Sequence, residues 1–362
     1  MKKRLVFCVT NDLNHDQRMH RICSSLAEAG FDITLVGRKL PSSKSLINLP
    51  FKQHRLRCFI NKGKLFYIEY QLRLLWFLIF RNADGIGAID LDTIAACFVA
   101  AVLKRSKLIY DAHEYFPEVP EVIDRPFTKW IWQKTEAFFL PQCDLIYTVT
   151  ESIAEVFRRK YHKEVAVIRN LPVLRQTDPV QFSDVIIYQG ALNEGRGLEF
   201  LIEAMAKVDG KLLIAGEGDL SIPLRNQVTQ LQLEGKVQFL GMLEPSALRE
   251  FTNTAAIGIN LLENRGRSYY FSLANKFMDY IHCGMPQISM NFPEYSRINE
   301  QWEVAILLNT CETEGIVTAI KELQNNRNRY LKLQENALLC RLQLNWQQES
   351  VKLVRLYERL FE

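Results

Sequence analysis

Apolar residues recur along this chain in short continuous runs, each followed by a polar loop and then by a stretch with helical spacing. In the first half the runs are 4–10, 32–37, 55–60, 85–89, 107–112, 144–149 and 165–168. In the second half they are 185–190, 211–216, 237–241, 256–260, 286–290 and 304–308. Near-continuous apolar runs of this length predict strands covered on both faces, the pattern of a parallel sheet. Between them, segments such as "DQRMHRICSSLAEAG" (16–30) place Met19, Ile22, Cys23, Leu26 and Ala27 at helical spacing, with Gly30 as a C-terminal stop.

The alternation breaks once, at "NLPVLRQTDPVQFS" (170–183), where two prolines and polar residues predict an interdomain linker. Two successive strand–helix arrays predict an α/β protein with two Rossmann-like, doubly wound parallel sheets. The expected boundaries are 1–172 for the first domain, 173–345 for the second and 346–362 for a closing amphipathic helix. Ligands of such sheets bind beyond the carboxyl ends of the strands, and with two sheets the expected site is the cleft between them.

Composition changes this picture little, but charge does. The chain has 362 residues and a formal net charge of +4, unevenly spread. Residues 1–81 hold 15 Lys/Arg against 5 Asp/Glu, and the stretch from Arg38 to Lys64 holds eight basic residues and no acidic one. A solvated basic loop is one reading; attraction to an anionic membrane surface is the other. No nucleic-acid-binding module accompanies the charge, so nucleic acid is not expected. The eight cysteines lack paired spacing and read as reduced thiols of a cytoplasmic protein, without a disulfide framework or zinc site. The start, "MKKRLVFCVTND", reads as a first strand rather than a signal segment, and the greasiest stretch, 65–80, is too short and too interrupted for a membrane span.

No GxGxxG or P-loop follows either first strand. Three stretches of the second half could bind phosphate instead. In "YQGALNEGRGLEFLIEAM" (188–205), a strand, a glycine turn and a helix follow in order, with Gly190 at the turn and Arg196 next to Gly197 at the helix start. In "GEGDL" (216–220), Gly216 opens a turn after a strand. In "SLANKFMDYIHCGMPQIS" (272–289), Ser272 or Asn275 can cap a helix whose first turn carries Lys276, an unfavourable place for a cation unless an anion shares it. Asp279 follows one turn on, giving either an i,i+3 surface pair or a phosphate-and-hydroxyl pair. In the first half, "YDAHEYF" (110–116) places His113 and Glu114 at a strand end, with Asp111 read as a structural loop residue. Asp90 and Asp92 of "DLD" match a metal-binding pattern, but Asp92 is also placed to cap the helix that follows. In "HDQR" (15–18), Asp16 is a cap candidate, and the alternative has His15, Asp16 and Arg18 facing the site.

Taken in order, "YDAHE", "GALNEGRGL", "GEGDL", "FLGML" and "NKFMDYIHCGMPQI" resemble the retaining glycosyltransferases of the GT-B fold. That family includes glycogen synthases and many bacterial polysaccharide and lipid-linked sugar transferases. The resemblance is strongest to the bacterial group-1 branch and spans nearly the whole chain. It implies a cytoplasmic, metal-independent enzyme that moves a sugar from a nucleotide-diphosphate sugar to an acceptor hydroxyl with retention. Cell-surface polysaccharide or glycolipid assembly is the implied setting, with no cofactor. Arg196 and Lys276 are then the diphosphate contacts, with Gly190, Gly197, Gly216, Ser272 and Asn275 beside them. Asp279 would bind ribose, main chain at Leu243 would hold the base, and His113 would meet the donor sugar. His113, Glu114, Arg196 and Lys276 form the implied catalytic set. A lipid-linked or anionic saccharide acceptor, reached by peripheral contact with the inner membrane face, completes the expectation. Phe271 and Ala191 stand where the family has Glu and Arg. They keep an inert nucleotide-sugar-binding subunit in view; the nearest rival enzyme is a nucleotide-sugar 2-epimerase of the same fold.

Overall fold

The computed structural model describes residues 2–60 and 63–362. The chain divides into two compact units, 1–170 with 347–362, and 171–346. In the first unit a seven-stranded sheet runs in the order β3-β2-β1-β4-β5-β6-β7. Its strands are β1 (Arg4–Cys8), β2 (Asp32–Lys39), β3 (Lys52–Arg57), β4 (Gly85–Ile89), β5 (Lys107–Ala112), β6 (Leu145–Thr148) and β7 (Ala166–Val167). In the second unit a six-stranded sheet runs in the order β10-β9-β8-β11-β12-β13. These strands are β8 (Val185–Gln189), β9 (Lys211–Ala215), β10 (Val237–Gly241), β11 (Ile257–Asn260), β12 (Gln287–Met290) and β13 (Ala305–Leu308). All pairings are parallel. Each apolar run of the sequence forms its strand for the expected reason: β4, β11 and β12 are buried along their whole length.

One strand is displaced. The run 55–60 predicted a strand there, but β3 is Lys52–Arg57, an edge strand paired with β2. The amides of Phe59 and Ile60 leave the sheet and donate to the Glu69 carboxylate, each at 2.8 Å. A charge-assisted acceptor on the next helix thus outcompetes the ladder for these amides.

The linker is also not a free tether. Residues 171–183 have no regular structure yet lie on the second unit: Val180 N donates to Cys283 O, and Arg341 Nη1 to the Thr177 hydroxyl. The closing helix, Trp346–Phe361, packs on the first unit. The Tyr357 ring meets Phe7 of β1, its hydroxyl lies 3.0 Å from that of Tyr147 in β6, and buried Glu349 accepts the Arg169 amide.

Strand order reverses between β1 and β4 in one sheet and between β8 and β11 in the other. At such a reversal the loops leaving the two strands part and open a crevice, the usual ligand site of an open parallel sheet.

Candidate functional site

In the second unit the crevice is framed by the loops after β8 and β11, with main chain after β9 alongside. Glycine is required there. Gly190 and Gly216 close their strands at φ 134° and 145°, and a Cβ on Gly216 would fall 1.9 Å from the Gly190 carbonyl oxygen. The two strand ends are tied together: Gly190 N donates to Ala215 O and Gly216 N to Gly241 O, both at 2.9 Å. Gly197, at φ 63°, is the residue before the helix Leu198–Met205. Leu243 sits half-buried in the turn after β10.

Lys276 enters from the helix Asn275–His282. Its side chain is 7% exposed, and its Nζ has no hydrogen-bond partner. The ammonium lies 3.6 Å from the centre of the Tyr188 ring on β8 and within 3.6 Å of where a Gly190 side chain would begin. Burial, reinforced by the Arg196 charge, pushes the Lys276 amine well below the usual lysine range. Arg196 stacks over the Tyr269 ring at 4.8 Å, and its Nε is likewise buried without a partner. Two cations, Arg196 from a loop and Lys276 from a helix, therefore converge on one crevice, and neither the Lys276 Nζ nor the Arg196 Nε is satisfied by the protein.

Asp279 is not the surface partner of Lys276. Its carboxylate accepts from Gln189 Nε2 at 2.9 Å, and Gln189 Oε1 in turn accepts the Thr252 hydroxyl at 2.9 Å. The helix cap also differs from expectation. Ala274 precedes the first turn with no side-chain cap, Asn275 is exposed, and the Ser272 hydroxyl donates back to Tyr269 O at 2.8 Å. The Tyr295 hydroxyl accepts the Ala274 amide at 3.1 Å, while the amides of the first helical turn have no side-chain cap.

In the first unit the charges gather at the ends of β4 and β5. Asp111 belongs to β5 rather than to a loop. It is fully buried between Arg18 and His113: Arg18 donates to it through Nη2 at 2.8 Å and Nε at 3.2 Å, and His113 Nε2 lies 3.3 Å from Oδ2. Burial would raise the Asp111 pKa, but Arg18 and His113 outweigh it and hold the carboxyl below its ordinary value. Asp90 accepts the His113 amide at 2.9 Å. Burial would lower the imidazole pKa; Asp111 and then Asp90 reverse that and raise it to about 9. His113 is thus an imidazolium at neutral pH, a hydrogen-bond donor rather than a general base. Asp111 and Asp90 orient it; burial, and after it the charge of exposed Glu114, pushes the Asp90 carboxyl well above its ordinary value against the pull of His113.

Asp92 does not cap its helix. Asp90 is the residue before the helix Leu91–Lys104, and Asp92, inside the first turn, accepts the Thr10 hydroxyl at 2.5 Å. Burial pushes its carboxyl up to about 6. Asp16 does cap, accepting the Met19 amide at 3.0 Å. The side chain of His15 lies outside the described residues. Among the described residues no cluster of three or more His, Cys, Asp or Glu side chains could hold a metal ion.

Sequence reasoning missed Tyr188, Tyr269 and Gln189, read Asp111 as a structural loop residue, and offered Arg18 only as an alternative facing the site. Gln189 left a signal, a polar residue closing an otherwise apolar strand; the two tyrosines left none, because aromatic residues read as core.

Two parallel Rossmann-like sheets with their polar groups at the strand ends define the GT-B architecture, and solved structures share it. Sucrose-phosphate synthase from Thermosynechococcus elongatus superposes with a TM-score of 0.83 at 16% identity, covering 99% of each chain. Anabaena HepE in complex with UDP and glucose gives 0.79 at 14% identity, covering 98% of this chain and 99% of its own. An uncharacterized glycosyltransferase of Methanocaldococcus jannaschii is 35% identical over 77 residues, a match that spans 20% of either protein. Residues 16–171 match the family described as Glycosyltransferase Family 4, and residues 175–339 the family described as Glycosyl transferases group 1. The chain belongs to these glycosyltransferases, a family 4 domain followed by a group 1 domain.

Proposed function

We propose that the chain transfers a sugar from a nucleotide-diphosphate sugar to an acceptor hydroxyl with retention, and that the second unit binds the donor. One observation carries the reading: the buried Lys276 amine without a hydrogen-bond partner, beside Arg196 at the β8/β11 crevice. A buried cation is costly unless paired, and two such groups in one crevice call for a polyanion, which a diphosphate supplies. HepE structures with UDP and with UDP-glucose support this choice of ligand class.

In this reading the leaving diphosphate gains negative charge as the glycosidic bond breaks. Arg196 and Lys276 stabilise that charge from fixed positions and supply what a divalent metal would otherwise bring. Asp279, held by Gln189, receives the ribose hydroxyls. His113, protonated, donates a hydrogen bond to the transferred sugar. Retention follows from the family resemblance, with the leaving phosphate taking the acceptor proton, so no protein base is required. The acceptor is a lipid-linked or anionic saccharide met at an anionic membrane face.

Replacing Arg196 by Ala tests the assignment. Turnover of a nucleotide-diphosphate sugar should fall by two or more orders of magnitude, on the scale of lost oxyanion-type stabilisation, with an unchanged circular dichroism spectrum. Near-normal turnover refutes it. Release of a 2-epimer without any acceptor would refute the transferase reading instead.

A further inference from the structure

The helix Lys64–Ile79 is apolar on both sides. Phe66, Tyr70, Leu74 and Leu78 face inward and are buried. Leu65, Ile68, Leu72, Trp76 and Ile79 form a second stripe, at spacings of three and four residues, that faces outward. Leu65, Leu72 and Trp76 are 62%, 65% and 69% exposed. An ordinary surface helix has one apolar stripe and one polar face, so the outer stripe has no role in holding the first unit together.

The stripe continues sideways. The helices Leu91–Lys104 and Pro126–Phe139 lie alongside, joined by ring contacts such as Phe98 with Phe139 at 5.3 Å and Tyr67 with Trp132 at 6.0 Å. They expose Val102 and Leu103, and Trp130 and Phe138.

Within these three helices the outward charge is basic, while exposed Glu121 and Asp124 lie just before the third. Each of the three helices holds a single carboxylate, and each is used internally. Glu69 pairs with Arg73 and takes the Phe59 and Ile60 amides. Asp92 takes the Thr10 hydroxyl, and Glu136 is fully buried on Lys160 and Tyr161. Exposed cations border the apolar patch: Lys39 and Arg57, cross-strand partners at the ends of β2 and β3, Arg81 just past the first helix, and Lys134 on the third. Among the described residues no helix is long and apolar enough to cross a membrane.

We infer that this three-helix face docks on an anionic lipid surface, the helix Lys64–Ile79 lying in the plane of the interface. Its length, about 24 Å for 16 residues, presents leucine, isoleucine and tryptophan to the acyl boundary while the bordering lysines and arginines meet lipid phosphates. Exposed Lys39, Arg57, Arg81 and Lys134 outnumber the nearby Glu121 and Asp124, an excess of positive charge that suits lipid phosphates. The inference gives a surface to the membrane-presented acceptor proposed above, but it concerns binding alone and is measured without donor or acceptor.

The test is flotation of the full chain with vesicles of phosphatidylcholine, with and without added phosphatidylglycerol. Wild-type protein should float with the anionic vesicles and much less with the neutral ones. The double variant Leu72→Glu, Trp76→Glu should lower partitioning by on the order of a hundredfold, from two lost apolar insertions. Its thermal unfolding should match wild type, since both side chains are mostly exposed. Ile222→Glu, at an exposed apolar site on the second unit, should bind like wild type. Three results would overturn the inference: no flotation of wild type, flotation unchanged in the double variant, or a wild-type dimer that the double variant dissolves while lipid binding is absent.

Discussion

Replacing Lys276 by Met removes a buried amine and keeps a side chain of similar length and volume. An unsatisfied buried donor costs about 1–3 kcal/mol, and more when charged. The contact of the ammonium over the Tyr188 ring returns on the order of 2 kcal/mol. Lys276 Nζ has no hydrogen-bond partner to lose, so the balance favours the variant by roughly 1 kcal/mol. For a unit of this size that is an increase of about 2–4 °C in Tm. Scanning calorimetry on the protein without nucleotide reads it directly, in the transition of the second unit. Added nucleoside diphosphate should then reverse the order. At a hundredfold excess over Kd a bound ligand adds about 2.7 kcal/mol to the wild type, and the variant should gain little of it. A variant less stable than wild type without ligand would refute the reasoning, because the amine would then be serving the fold rather than an anion.

Two further outcomes follow from the geometry. His113 is raised to about 9 by Asp111 and Asp90, so its stabilisation is complete below the unfolded value near 6.5 and is lost as pH climbs through about 9. The stability difference between wild type and His113→Gln should shrink over that window by up to roughly 3 kcal/mol in urea titrations, and a difference that grows with pH would contradict it. Gly216→Ala places a Cβ 1.9 Å from the Gly190 carbonyl at φ 145°; a loss of more than about 2 kcal/mol and weakened nucleotide binding are expected, and an unchanged urea midpoint would show the two strand ends are not locked.

The architecture was legible because parallel strands buried on both faces leave apolar runs that nothing else in the chain imitates. Even β4 and β11, each containing glycine, stand out for that reason. β3 was placed late because its alternating, basic residues lie at a sheet edge, while the greasier Phe59 and Ile60 gave their amides to Glu69. At the site, Lys276 and Arg196 were legible as cations at helix starts near glycine turns. The aromatic floor under them was not, because Tyr188 and Tyr269 are indistinguishable in sequence from packing residues. The Arg18–Asp111–His113 chain joins two residues 93 positions apart. No local pattern records such a pairing, and so Asp111 read as a loop residue.

The Lys276–Arg196 crevice is proposed as a diphosphate site. Titration calorimetry of the wild type and Lys276→Met with a nucleoside diphosphate, its monophosphate and the free nucleoside tests it most directly, using the base that a uridine, guanosine and adenosine panel selects. Wild-type affinity should fall steeply from diphosphate to nucleoside, and in the variant that gradient should largely disappear. Equal wild-type affinity for diphosphate and nucleoside, or an undiminished gradient in Lys276→Met, would contradict it.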